Sequence, residues 1–477
     1  MKPAKIAVVA LGHYIYFQQF ETLREELMQK TDDFIKLIDS DACEIVNAGY
    51  IDCAEDAFEA VQKIRREDVD LLFVLLSTYV PSAVAAPLAR YLDVPQVLVA
   101  IQPLEHLDYS HTTTYMQLCN DDVCAMPEIA GVYERLGRTI PPCIVASSTQ
   151  TERVKKQVSE WVSAATAMAG FKYRTFGYLG HTYEGMYDMH TDPTAFTAAF
   201  GSHVKMLEMC ELARLSEAVT DEEIEKQIDE IVNTFEICDP SIDPLTDFVK
   251  REDLEYSARQ SVALKKLVAD NKLTALAYYY KSEPQNPYEQ LAANLIIGNT
   301  LLTSAGIPLA GEADLKTAAA MLIMKNIGGG GSFAEIHPFD VCDDVVLIGH
   351  DGPHNIAIAQ GKPRLRKLKK YHGKSGSGIG VEFSLKAGPV TLLSINVDRN
   401  GKFRMIAAEG ESIAGEIPQT GNTNTRVSFG GDVCDFLTRW CEAGPTHHLA
   451  LGVGHHLNTL RKFAKISGIE LVEVKGK

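Results

Sequence analysis

Short apolar runs alternate with amphipathic stretches along the first 170 residues. KIAVVALG (5–12), CEIVNAGYI (43–51), DLLFVLLST (70–78), PQVLVAIQP (95–103) and PCIVASS (142–148) are compact and rich in β-branched residues. Strands buried on both faces of a sheet read this way. Helical patterns such as DAFEAVQKIRRE (56–67) stand between them, and TQTERVKKQVSEWVSAATAMAG (149–170) opens on Thr149 as its expected N-cap. This alternation predicts a parallel sheet covered by helices. It continues from 171 to 326: KYRTFGYLG, an acidic helix at 219–235, a second helix at 253–271, LTALAYYY (273–280) as a buried strand, and helices at 290–306 and 314–325. From 327 the texture changes. VEFSLKAGPVTLLSINV, GKFRMIAAEGES and TRVSF are short strands separated by Gly, Asn and Asp turns, which predicts an antiparallel sheet or barrel. HHLNTLRKFAKIS then reads as a helix and IELVEV as a strand. The expected architecture is α/β: two parallel-sheet, Rossmann-like domains (1–170 and 171–326), then a mostly antiparallel β-rich domain (327–477).

Composition narrows the function classes. The 477 residues are 46% hydrophobic and 23% charged, ordinary for a globular chain, and the net charge of -17 argues against a nucleic-acid surface. No run reaches the roughly 18 apolar residues of a spanning helix, so no membrane partner is expected. KIAVVALG reads as a first buried strand rather than as a signal peptide. The ten cysteines are scattered, with no CxxC. That predicts reduced thiols and a cytoplasmic location.

Candidate chemistry collects in the last third. Glu312 lies just before the helical pattern DLKTAAAMLIMK, in which Leu315, Ala318, Ala319, Leu322 and Ile323 share a face. A carboxylate there suits the helix N-terminus, so one reading is a capping acid. Glu335 follows IGGGGSF, a run that is either a flexible connector or a close backbone approach. His350 ends the strand pattern DDVVLIGH, with His354 four residues on, and GPTHHLALGVGHH supplies His447, His448, His455 and His456. Eight of the fourteen histidines lie beyond residue 336. Two carboxylates with two imidazoles suit a borderline ion such as Mn or Co, not a structural zinc site. In an extended segment neighbours face opposite ways, so one of His447 and His448 ligates and the other packs.

Two motifs are set aside. Gly373-Lys374-Ser375 resembles a phosphate-binding loop, but the required earlier glycine is Leu368. The glycine run follows a helix rather than a strand, unlike a dinucleotide fingerprint. The basic run at 362–374 reads as a solvated or interface face.

At these residues the chain resembles the L-arabinose isomerase family, within the L-fucose/L-arabinose isomerase group. GEADLKTAA, GGGGSFAE, LIGH, AGPVTLLSINV and GPTHH are similar to that family's segments. LGHYIYFQQFETLREE and HTTTYMQLCNDDVCAMPE depart from the pocket-forming stretches expected near its N-terminus. The resemblance implies a divalent metal, Mn foremost and Co next, held by Glu312, Glu335, His350 and His448, the family's ligand being the second histidine of the pair. It places catalysis on Glu312 and Glu335. It implies aldose–ketose isomerisation through an enediol, L-arabinose to L-ribulose, with D-galactose to D-tagatose beside it. The implied partners are a monosaccharide and further copies of the chain, a hexamer or trimer with sites at subunit interfaces. The alternatives are another aldose, such as L-fucose or an acidic or sulfonated sugar, and a non-catalytic sugar-binding protein.

Overall fold

The computed structural model describes residues 3–279, 286, 288–352, 354–369, 378–418, 420 and 422–476. Gly373-Lys374-Ser375 and the end of the basic run lie outside them. The chain divides into two compact units, Met1–Ala169 and Gly170–Lys477.

In the first unit five parallel strands, β1 (Ala4–Leu11), β2 (Cys43–Ile51), β3 (Leu71–Leu76), β4 (Gln96–Gln102) and β5 (Cys143–Ser147), run in the order β2-β1-β3-β4-β5. This is a doubly wound order, with the direction of winding reversing between β1 and β3. Every residue of β3 is buried, as expected of a strand covered on both faces. The helix Ala54–Glu67 has Glu55 and Asp56 in its first turn and Arg65 and Arg66 in its last, in accord with the backbone dipole. Thr149 is not the cap of the next helix. Ser147 takes that place, accepting from the Thr149 amide, while Gln150 closes a capping box around a short 3-10 turn, and the α-helix spans Thr151–Ala169.

The second unit continues with β6 (Thr175–Leu179), β7 (His203–Leu207), the two-residue β8 (Glu236–Ile237) and β9 (Thr246–Asp247), β10 (Leu273–Tyr278) and β11 (Leu309–Ala310). Four of these form a parallel sheet in the order β11-β10-β6-β7. Nine strands follow: β12 (Ser332–Asp340), β13 (Val345–His350), β14 (Arg364–Leu368), β15 (Gly380–Glu382), β16 (Gly388–Val397), β17 (Phe403–Ile413), β18 (Thr423–Ser428), β19 (His448–Val453) and β20 (Glu470–Glu473). Seven make the sheet β16-β19-β12-β13-β18-β17-β20. All its pairings are antiparallel except β17 with β20, and β16 also pairs with β17, so six strands close into a barrel. β8, β9, β14 and β15 form a small separate sheet. The fold is therefore α/β, with two parallel sheets and a mostly antiparallel third region.

The helix Leu315–Asn326 joins the two halves of this unit. It packs on β10 on one side and on β16 and β19 on the other. Residues Leu315 to Met324 are all buried, Lys316 among them, so the helix is enclosed all round instead of presenting one apolar face. No helix among the described residues is long and apolar enough to cross a membrane.

Candidate metal centre

Glu312 projects from a turn at the carboxyl end of β11, where parallel sheets present their functional groups. Glu312 and Ala313 both have positive φ, 53° and 56°. Two successive non-glycine residues in the left-handed region are costly, and such strain persists only where the surroundings impose it. Glu312 does not cap the following helix. Asp314 does, accepting from the Lys316 and Thr317 amides at 3.1 and 3.0 Å and from the Thr317 hydroxyl at 2.8 Å. That leaves the Glu312 carboxylate to point elsewhere.

Three neighbouring barrel strands carry the other groups. Glu335 on β12 lies opposite His448 on β19 and opposite Gly349 on β13, one residue before His350. Register thus gathers positions far apart in sequence. The glycine run makes this possible. Gly331 has φ +71°, and a Cβ there would meet the Met321 carbonyl oxygen at 2.9 Å. The run is a tight return from the buried helix into β12, not a loose connector. Gly331→Ala is expected to cost about 1–3 kcal/mol, from left-handed strain plus overpacking; a urea midpoint measures it.

Three of the four residues singled out in the sequence, Glu312, His350 and His448, meet, and Glu335 stands beside them, grouped with His447 and His448. His448 Nε2 is 2.8 Å from Glu312 Oε2, and His350 Nε2 is 3.9 Å from the same oxygen and 4.0 Å from Glu335 Oε1. Ligand atoms of Glu312, His350 and His448 lie within 4.8 Å of one another. Glu312 is 6% exposed, His350 5% and His448 0%. The Phe333 ring backs both imidazoles, at 4.6 Å from His350 and 4.4 Å from His448. His447, half exposed, sits with its Nε2 2.5 Å from Glu335 Oε2 while its amide donates to Asp188.

The electrostatics follow from this packing. Burial pushes the His350 imidazole down, only partly opposed by the charges of Glu312 and Glu335. His448 also suffers burial, but hydrogen bonds to Asp314 and Glu312 outweigh it and raise it to about 10. Asp314 Oδ2 lies 3.1 Å from His448 Nδ1. Although fully buried, Asp314 is lowered to about 2 by that contact and by the Lys316 charge. Burial would raise Glu335, yet hydrogen bonds from His337 and His447 hold it well below the usual carboxylate range. His448 thus lies between two carboxylates, where positive charge is favoured.

A divalent cation answers the same demand. Asp314 holds Nδ1 of His448 and aims Nε2 at Glu312, the carboxylate–histidine arrangement that orients metal-binding imidazoles. Buried Glu312, His350 and His448, with the partly exposed Glu335 beside them, are a donor set that fits a borderline divalent ion. Asp314, His337, Asp188 and Lys316 were not apparent as site residues from sequence. His337 had a usable signal: it lies two positions from Glu335 on a strand and so shares its face, and its Nε2 is 3.0 Å from Glu335 Oε1. Asp314 had one too, as the N-cap of a helix whose first turn borders the site. Among the described residues of the basic run, Arg364 and Arg366 contact Glu382, and Lys367 donates to Asp253 at 2.7 Å.

Comparison with known proteins agrees with this geometry. The family model of the L-arabinose isomerase central domain matches residues 188–330, and that of the C-terminal domain matches 330–470. The L-arabinose isomerase of Shewanella baltica is 27% identical over 342 residues, 69% of this chain and 65% of that relative. That of Cellvibrio japonicus is 24% identical over 413 residues, 84% of this chain and 80% of the relative. L-arabinose isomerase 1 of Bacillus licheniformis is 22% identical over 465 residues, 94% and 90% of the two chains. With two adjoining domain models covering more than half of its length, and with carboxylates and imidazoles meeting where its barrel faces the helix after β11, the chain belongs to the L-arabinose isomerase family, a family of aldose–ketose isomerases.

Proposed function

We propose that the protein converts L-arabinose to L-ribulose, and D-galactose to D-tagatose, with Glu312, Glu335, His350 and His448 as metal ligands and the two glutamates as catalytic residues. The observation that carries this reading is the buried cluster of Glu312, His350 and His448, with Glu335 4.0 Å from His350 Nε2. The ion we favour is Mn, with Co as its substitute; when bound, it supplies a Lewis acid beside the sugar carbonyl and lowers the cost of negative charge on the reacting oxygens.

The protein groups do the proton work. Isomerisation moves the C2 proton to C1 and the O2 proton to O1, with an enediol between. Glu335, held ionised by His337 and His447, and Glu312, on its strained turn, are the two carboxylates placed to divide these transfers. One carries the carbon-bound proton and the other the hydroxyl proton. Phe333 packs against the buried His350 and His448, and that burial strengthens the charge interactions they make.

We further assign the protein to the cytoplasm and to a homo-oligomer, hexamer or trimer, with its sites at subunit interfaces. Stripping metal with a chelator is expected to abolish ketose formation, and Mn or Co to restore it, with metal content measured in parallel. Full turnover by protein shown to be metal-free would overturn the reading.

A further inference from the structure

The described part of the basic run borders a cavity that the chemistry above does not use. About 590 Å³ in volume, it lies between β14, β15, β17 and β18, and none of Glu312, Glu335, His350 and His448 lines it. That volume suits a small metabolite. Its cations come from two sides, Lys362 and Arg364 at the start of β14 and Arg426 on β18. Lys362 is exposed and makes no ion pair among the described residues. Arg364 is half-exposed and is steadied by Glu382, its partner across the strands. Arg426 is anchored by Asp343 at 2.5 Å. Two carboxylates also line the cavity. Glu382 is 1% exposed and is covered by Arg364 and Arg366, so its charge is met within the protein, while Glu416 stands exposed. The accessible charge is therefore weighted toward the cations, in a chain whose net charge is -17. The wall between them is held in shape: the Ser384 hydroxyl donates to the Asn424 carbonyl at 2.7 Å, and the Leu385 amide donates to the Thr425 hydroxyl at 3.0 Å. Buried Phe383 and Leu385, with exposed Ile413, add apolar surface.

We propose that this cavity binds a small phosphate monoester, with the phosphate between Lys362, Arg364 and Arg426 and the carbon body against Phe383, Leu385 and Ile413. Guanidinium forks match phosphate oxygens in geometry, and a lysine adds a point charge. A bare phosphate ion would leave the apolar surface uncovered, whereas an ester covers it and gains by doing so. Occupancy needs neither the metal ion nor the catalytic glutamates.

Phenyl phosphate tests this, since it pairs a phosphate with an apolar body and is no sugar. Calorimetric titration of the Mn-loaded protein is expected to show one saturable site for phenyl phosphate, about tenfold tighter than for inorganic phosphate, and none for phenol at the same concentrations. Lys362→Met and Arg426→Met should each weaken phenyl phosphate about tenfold, the loss of one charged hydrogen-bonding partner. Lys362 is exposed and unpaired, so its replacement leaves the fold intact and keeps the test valid if Arg426→Met does not fold. Removing Mn with a chelator should leave the affinity unchanged. Absence of saturable binding, binding lost with the metal, or binding unmoved by Lys362→Met overturns the site. Equal affinity for inorganic phosphate and phenyl phosphate overturns its assignment to an ester. None of these results bears on the isomerase reading.

Discussion

Glu335→Gln and Glu312→Gln are each expected to lower aldose–ketose conversion by about three orders of magnitude, in protein that remains folded. Glutamine preserves shape and hydrogen-bonding reach but cannot take up a proton, and positioned proton transfer contributes about 10²- to 10⁴-fold. Glu335 is the sharper case. Its oxygens are engaged by His337 at 3.0 Å and His447 at 2.5 Å, contacts that fix a carboxylate in one orientation and keep it ionised. An amide offers only one acceptor oxygen to those two donors. Turnover, metal content and circular dichroism measured on the same samples separate lost chemistry from lost ion and from lost fold. Near-native turnover in either variant refutes that glutamate's role.

The second large effect lies away from these residues and concerns stability. Glu382→Ala is expected to destabilise the protein by about 3–5 kcal/mol, because it strips a counter-charge from a buried guanidinium. Arg366 and Glu382 are each 1% exposed. Arg366 Nη2 donates to Glu382 Oε1 at 3.1 Å, its Nη1 lies 2.6 Å from Asp243, and Arg364 adds a second cation to Glu382. Burial pushes the Glu382 carboxyl up, and the two arginines offset this only in part. Removing the carboxylate takes a counter-charge from both guanidiniums, with Asp243 still 2.6 Å from Arg366 Nη1. Urea denaturation measures the loss. The double replacement Arg366→Met with Glu382→Leu should recover most of it, since apolar groups of similar volume replace a buried pair at little cost.

The features legible in sequence and those that were not differ in range. β3 was readable because six successive buried residues leave a local imprint, and the helix Leu315–Asn326 was readable from the spacing of Leu315, Ala318, Ala319, Leu322 and Ile323. Its enclosure on every side was not, because small residues such as Ala318, Ala319 and Ala320 do not reveal how many neighbours they meet. Closure of the barrel through β16 and β17 depends on pairing that no short window contains. At the site, the glutamates and histidines could be picked out as residue types in a characteristic order. The left-handed turn that frees Glu312, and the double duty of Asp314 as helix cap and as partner of His448, follow from backbone torsion and from contacts across the unit. Thr149 failed as a cap for a smaller reason: Ser147 and Gln150 made a better one just upstream.

His448 and Asp314 stand 134 positions apart along the chain yet share a hydrogen bond. Ribosomes deliver the turn after β11 long before they deliver β19. Through that interval the growing polypeptide carries Glu312 without the imidazole that faces it. Under the function proposed above, the ion enters only after the last barrel strand is in place.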